Sequence, residues 1–252
     1  MDPATWSWSP EALAGVGLAA WYLLRPVDRS PWRTASFLAG CALVIAALVT
    51  PLDTLARDYL VLAHLLQNVV LAEWAPLLLV LGLHPAFAGR LVSAPTVRVL
   101  THPFVALPFW IGTYAVWHVP ALYDAALRHP HSLLPLEHAT YLVSGLALWW
   151  CVWQQLPHRL SSAARAGYAF AAFVLSAPLG LLLALVPEPL YAFYAEAPER
   201  VWGLSRLEDQ QLGGMTMAAE QSLVFFGVCA FWFLRFLREQ EALDDPALDG
   251  PR

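Results

Sequence analysis

The chain has 252 residues, of which 59% are hydrophobic and only 13% are charged, and its mean hydropathy is +0.54. Soluble domains carry about 25% charged residues, so this composition predicts a membrane protein. The formal net charge of −5 excludes the basic surface that nucleic-acid-binding proteins use. The three cysteines are far apart and form no CxxC, so neither a disulfide framework nor a thiolate zinc site is predicted.

Apolar runs follow one another along the chain, each close to the roughly 20 residues that cross a bilayer as a helix. Seven such runs are present, at residues 8–24, 33–51, 59–83, 99–119, 133–155, 164–187 and 211–235. They are continuous rather than alternating, which favours helices over a barrel. We therefore predict an all-α, polytopic membrane helix bundle with seven transmembrane helices over residues 1–238. An acidic, disordered cytoplasmic tail is expected over residues 239–252.

Arginine supplies every basic residue, and its distribution predicts the orientation of the bundle. Ten arginines lie after the first, third and fifth spans and at the C-terminal end, whereas four lie in the remaining connections. Because basic residues concentrate on the cytoplasmic side, we expect the N-terminus outside and the C-terminus in the cytoplasm. In this orientation His129 and His131 fall in an outer loop, where we expect them to be exposed to solvent.

Polar side chains from four of the predicted spans fall at one depth, in the outer half of the bundle. His64 lies one turn into the third span, His118 closes the fourth, and His138 lies one turn into the fifth. Polar groups inside a membrane usually face the bundle interior. Since imidazole and thioether groups suit copper, we predict His64, His118, His138 and Met217 as candidate copper ligands. The polar residues predicted to support them are Gln67, Asn68, Tyr114, Asp124, Glu137, Tyr141, Asp209, Gln210, Gln211 and Glu220.

Two further features fall within predicted spans. Glu73 and Glu220 are carboxylates in apolar surroundings, and a buried carboxyl group must be protonated or paired, which makes both residues functional candidates. Gly213 and Gly214 are adjacent in the seventh span, where small residues let another helix approach closely. The sequence thus predicts a polar interior together with at least one tight helix crossing.

Three segments carry an ordered set of short motifs. They are HLLQNVVLAEWAPLLLVLGLHPA at 64–86, WHVPALYDAALRHPHSLLPLEHATYLVSGLALWW at 117–150 and PEPLYAFYAEAPERVWGLSRLEDQQLGGMTM at 187–217. Their WHxPxLYDxAL, LEH, WW and DQQLGGxxM elements, in this order and spacing, resemble the CtaG family of cytochrome c oxidase assembly proteins. The chain departs from that pattern at Asn68 and Leu134, where members often have histidine.

This resemblance implies a seven-helix protein of the bacterial inner (plasma) membrane that is needed to mature haem–copper oxidases. It implies the catalytic subunit of such an oxidase as the partner and copper as the metal that the protein helps to insert or stabilise. Since no bond-making chemistry is implied, we expect an assembly factor rather than an enzyme.

Two other functions stay open from the residues alone. Two histidines at one depth would suit a haem-binding membrane oxidoreductase. Alternatively, Glu73 and Glu220 would suit a proton-coupled membrane transporter, although no repeat of the kind found in many transporters is present.

Overall fold

A computed structural model describes residues 2–25, 30–196 and 201–244, and this part of the chain contains helices and no strand, which confirms the all-α prediction. The α-helices are α1 (Leu13–Leu24), α2 (Pro31–Val49), α3 (Pro51–Asp58), α4 (Val61–Val69), α5 (Ala75–Gly82), α6 (Pro85–Leu91), α7 (Pro95–Leu100), α8 (Pro103–Trp117), α9 (Pro120–Arg128), α10 (Leu133–Trp153), α11 (Ser162–Leu185) and α12 (Arg206–Asp244). A π-helical turn, Val70–Trp74, joins α4 to α5. Short 3-10 turns lie at Pro10–Ala12, Phe193–Ala195 and Val201–Gly203.

Four helical segments are long and apolar enough to cross a bilayer: Pro31–Val49, Val61–Gly82, Ser162–Leu185 and Arg206–Leu243. Helices α8 and α9, which are bent by 76° at their junction, together make a fifth. The two remaining predicted spans are also helical, since one contains the short apolar helix Pro10–Leu24 and the other contains α10. The described residues therefore provide four or five apolar spans, and every predicted span contains a helix.

Glycines let α11 and α12 approach each other closely. A Cβ atom on Gly214 of α12 would lie 2.6 Å from Ala184 N and 2.6 Å from Gly180 O of α11, so a larger side chain would push the two helices apart. Gly213 faces α4 instead, where its Cβ would lie 3.1 Å from Leu62 Cα. The predicted close approach at these two glycines is confirmed.

The π-helical turn between α4 and α5 carries a buried carboxyl group. It packs against α10, where a Cβ atom on Gly145 would lie only 2.1 Å from Ala72 O. Glu73 belongs to this turn and is wholly buried. Because π-helical turns inside α-helices often occur at functional sites, the carboxyl group of Glu73 is a candidate functional group.

Helix α12 is longer than the sequence indicated. It continues to Asp244, so residues 239–244 are helical where we expected a disordered tail, and residues 245–252 lie outside the described part of the chain. Glu239 stabilises this extension, since its Oε1 accepts hydrogen bonds from Ser162 Oγ at 2.8 Å and from Arg235 Nε at 3.1 Å. Ion pairs at this i, i+4 spacing favour helix.

Candidate functional site: a buried histidine and carboxylate cluster

Glu137 of α10 joins two residues of α4 at the end of the bundle where α4 and α10 begin and α8 ends, called the histidine end below. Glu137 Oε1 accepts a hydrogen bond from His64 Nε2 at 3.0 Å and another from Asn68 Nδ2 at 3.0 Å. All three side chains are fully buried. Because a carboxylate oxygen accepts, the hydrogen of the neutral imidazole is on Nε2, and Nδ1 carries the lone pair. That Nδ1 is buried and has no hydrogen-bond partner.

His118 is oriented through its Nδ1, and a backbone carbonyl takes the place of the carboxylate. It is the C-terminal cap of α8, and its Nδ1 lies 2.9 Å from Tyr114 O, with Tyr141 Oη 3.4 Å away on the other side. A backbone carbonyl only accepts, so Nδ1 donates and Nε2 of the neutral ring carries the lone pair. Nε2 is buried without a partner. Histidines that bind metals commonly donate their second nitrogen in this way.

His138 follows Glu137 in the first turns of α10 and is buried, with 4% of its surface exposed. Neither of its ring nitrogens has a hydrogen-bond partner. His138 directly follows Glu137, whose carboxylate accepts a hydrogen bond from His64, and the ring of Tyr123 packs near those of both His64 and His118. The structure therefore brings the three predicted histidines into one neighbourhood.

Tyr123 of α9 packs between two of these histidines, and sequence analysis missed it. Its ring centroid lies 4.8 Å from that of His64 and 6.2 Å from that of His118. On its other side it stacks on Tyr191 at 3.8 Å. Its position in the WHxPxLYD motif, directly before the predicted Asp124, was the signal that could have found it.

Asp124 folds the segment before α12 over this end of the bundle. Its carboxylate accepts hydrogen bonds from Ala192 N at 3.1 Å and Phe193 N at 3.0 Å. The exposed ion pair between Arg128 and Glu196 at 2.8 Å joins the same two segments. Asp124 therefore positions the segment that contains Ala192 and Phe193, and neither of these hydrogen bonds of its carboxylate involves a histidine.

Two residues of the DQQ element also bind backbone. Asp209 Oδ2 and Oδ1 accept from Val61 N and Leu62 N, each at 3.0 Å, so α12 caps the N-terminus of α4. Gln210 Oε1 accepts from Leu190 N at 2.7 Å. Asp209 thus positions α4, which carries His64, and Gln210 positions the loop that contains Leu190.

Gln67 ties α4 to the corner between α2 and α3. Its Nε2 donates to Ala47 O and to Asp53 Oδ1, both at 2.8 Å. Asp53 is fully buried and also accepts from Ser9 Oγ and from Arg57, each at 3.3 Å. Sequence analysis missed Asp53 and Arg57, although their i, i+4 spacing is typical of a helical ion pair.

The remaining predicted residues have other surroundings. Met217 is buried in the apolar core that contains Tyr114, and Gln211 is partly exposed. Glu220 accepts a hydrogen bond from Trp74 Nε1 in a deeper group. The two loop histidines predicted to be solvent-exposed, His129 and His131, are exposed.

The donor chemistry of the cluster fits copper, whereas its side-chain geometry is not that of a finished metal site. Among the described residues, no three His, Cys, Asp or Glu side chains are arranged to hold a metal ion. The cluster nevertheless presents buried imidazole nitrogens without a partner: Nδ1 of His64, Nε2 of His118 and both nitrogens of His138. These nitrogens are therefore available to a ligand. Binding a metal would require the side chains to turn toward one another.

The fold and the site together define a class, a helical membrane protein with a buried cluster of histidines and a carboxylate at one end of its bundle. The family model of the cytochrome c oxidase caa3 assembly factor, Caa3_CtaG, matches residues 16–239 of this chain. The chain therefore belongs to this family, and the resemblance seen in its motifs is confirmed. No curated protein and no solved structure matched the chain.

Proposed function

We propose that this chain assists the assembly of cytochrome c oxidase by holding Cu(I) as cargo at His64, His118 and His138, for insertion into the catalytic subunit. The observation that carries this proposal is the set of buried imidazole nitrogens without hydrogen-bond partners. Membership of a cytochrome c oxidase assembly family supplies the process. The role is non-catalytic, because the site presents ligands rather than a nucleophile with its base.

Glu137 suits this cargo electrostatically. An ion taken out of water needs a compensating charge close by. Glu137 provides one negative charge beside His64, which matches the single positive charge of Cu(I). Its hydrogen bond also orients the His64 ring and makes the free nitrogen a better donor.

The proposed topology places the cluster where an oxidase could receive the metal. We infer seven spans in the bacterial plasma membrane, with the N-terminus and the histidine end outside and the C-terminus in the cytoplasm. The arginine distribution supports this orientation, because ten arginines lie on the proposed cytoplasmic side against four outside. Met217, which is buried in the N-terminal half of α12, is a further candidate donor.

Copper binding is tested by anaerobic titration of the purified protein with Cu(I) against a competing chromophoric chelator. We expect one Cu(I) per chain, and at least a tenfold loss of affinity in the combined variant His64→Ala, His118→Ala, His138→Ala. His129→Ala is the matched control, since it removes an exposed imidazole near the same end and should leave affinity unchanged.

The cellular readout is oxidase activity in cells that carry each variant as the only copy. The copper proposal is contradicted if the native protein does not bind Cu(I) stoichiometrically and the triple variant keeps full oxidase activity. A Soret band in the purified protein would instead favour the haem alternative.

A further inference from the structure

A second group of buried polar side chains surrounds the π-helical turn, deeper in the bundle than the histidines. Glu73 Oε1 accepts hydrogen bonds from Tyr114 Oη at 2.7 Å and from Gln221 Nε2 at 2.9 Å. Glu220 brings its carboxyl group to the same place, because its Oε1 accepts a hydrogen bond from Nε1 of Trp74, the residue after Glu73, while its own neighbour Gln221 donates to Glu73. Two carboxyl groups from α12 and from the turn therefore meet in the interior.

No positive charge balances this pair within the described residues. None of the ion pairs in that part of the chain includes Glu73 or Glu220. The buried arginine on neighbouring α11, Arg165, donates instead to Leu160 O at 3.1 Å and to Gln154 O at 3.0 Å. The second oxygens of both carboxyl groups, Oε2 in each case, are buried and accept no hydrogen bond.

Within the described residues, the other helices that pack around the turn contribute apolar side chains and neutral phenols to it. Val44 and Leu48 of α2 belong to the same buried apolar core. From α8 and α10 the titratable members of that core are Tyr114 and Tyr141, which are neutral at ordinary pH. The carboxyl pair is therefore surrounded by apolar side chains and by neutral hydrogen-bond donors.

Backbone packing fixes where the pair sits. Glu73 lies near the middle of the apolar segment Val61–Gly82, within the five-residue turn. The close contact between Gly145 and Ala72 holds the turn against α10. Glu73 is thus held at this depth, where its side chain is fully buried.

We propose that Glu73 and Glu220 form a proton-binding site that holds one proton between the two carboxyl groups. Two ionised carboxylates in contact repel each other strongly, and the dry interior adds the cost of burying both charges. One proton, taken from solvent, removes that repulsion and gives the remaining carboxylate a hydrogen-bond donor. The aspartic protease pair follows the same rule.

This site goes beyond copper handling and does not depend on it. Tyr114 connects the two, since its hydroxyl donates to Glu73 while its carbonyl accepts from His118. The proton site is complete without any metal at the histidines, so it is tested on copper-free protein.

Infrared spectroscopy of the full-length protein in lipid bilayers at neutral pH tests the proposal. We expect the carbonyl stretch of a protonated carboxylic acid, shifted by exchange into D2O and shifted again when glutamate side chains carry 13C. The band should be lost in the double variant Glu73→Gln, Glu220→Gln. Glu137→Gln is the burial-matched control and should keep the band, because Glu137 accepts from His64 and Asn68 as a carboxylate.

If the double variant fails to fold, the protein of native sequence with 13C-labelled glutamate still tests the proposal. A copper-free native protein that shows no protonated carboxyl band responding to 13C-glutamate would overturn the proposal. A band of equal intensity in the folded double variant would overturn it as well, since the proton would then reside elsewhere.

Discussion

Glu137 holds His64 and Asn68 in place through a single oxygen, which leaves its second oxygen buried without a partner. The residue therefore fixes one imidazole and also keeps a negative charge available to a cation. His118 is held in a different way, by the carbonyl of Tyr114. Loss of Glu137 should thus loosen one ligand and leave the other in its rotamer.

Glu137→Gln tests that role. We expect Cu(I) affinity to fall by about tenfold to hundredfold, because partners that orient a metal-binding histidine contribute on that scale. The free energy of unfolding should fall by about 1–3 kcal/mol, because a buried hydrogen-bonded group loses its charged partner. Competition with a Cu(I) chelator and denaturant unfolding in detergent measure the two effects.

Glu196→Gln is the control for that prediction. Hydrogen bonds from Arg128 lower the pKa of the Glu196 carboxyl group, so it is ionised at neutral pH as Glu137 is proposed to be. Its ion pair is exposed to solvent, and such pairs contribute little. Both measurements should be unchanged. Equal Cu(I) affinity in Glu137→Gln and in the native protein would show that Glu137 does not orient a ligand.

Among the helix contacts, the packing of α10 against the π-helical turn leaves the least space for an added side-chain atom. Gly145→Ala places a methyl group 2.1 Å from Ala72 O, so α10 must move away from the turn. We expect the free energy of unfolding to fall by about 3 kcal/mol, at the upper end for overpacked sites. Thermal unfolding in detergent, followed by circular dichroism, measures the change.

Gly112→Ala supplies the comparison for Gly145→Ala, since a Cβ on Gly112 of α8 meets nothing within 4 Å. That variant should be neutral or more stable by about 0.5–1 kcal/mol, the usual difference between alanine and glycine in a helix. Similar stabilities for the two variants would contradict the tight packing described for α10.

Asp209 of α12 caps the N-terminus of α4. Asp209→Ala leaves the amides of Val61 and Leu62 without their acceptor, and we expect a loss of about 1–2 kcal/mol, as for other helix caps. Hydrogen exchange at these two amides should speed up, whereas Gln211→Ala, two residues further on, should change neither quantity. Unchanged exchange in Asp209→Ala would mean that another group caps α4.

Hydropathy predicted where helices occur because burial in lipid is a property of each segment by itself. It could not predict the π-helical turn or the contact between His64 and Glu137, which are 73 residues apart, because those depend on how each helix is rotated against its neighbours. The sequence predicted that His64 and His138 lie near helix starts and that His118 closes a helix, and these positions are confirmed. Their partners, including Tyr123 and Asp53, depend on tertiary packing.

For the molecule as a whole, the orientation in the membrane is the property on which the proposed function depends. We expect an impermeant maleimide added to intact cells to label Ser132→Cys but not Ser93→Cys, in a background whose native cysteines are replaced by serine. Both positions are exposed, one before α10 and the other before α7, so accessibility is matched. The reverse labelling pattern would place the histidine end in the cytoplasm and remove the proposed route to the oxidase.

The π-helical turn accommodates one residue more than a regular α-helix would place between α4 and α5. Each residue of an α-helix corresponds to about 100° of rotation, so an extra residue without such a turn would rotate every side chain beyond it by that angle. Because the turn absorbs the extra residue, deleting a single residue within Val70–Trp74 would let α4 and α5 join as one regular helix whose deeper half keeps its present faces relative to His64. The deletion would thus remove the local bulge that carries Glu73 and leave the histidines and the packing of α5 in place.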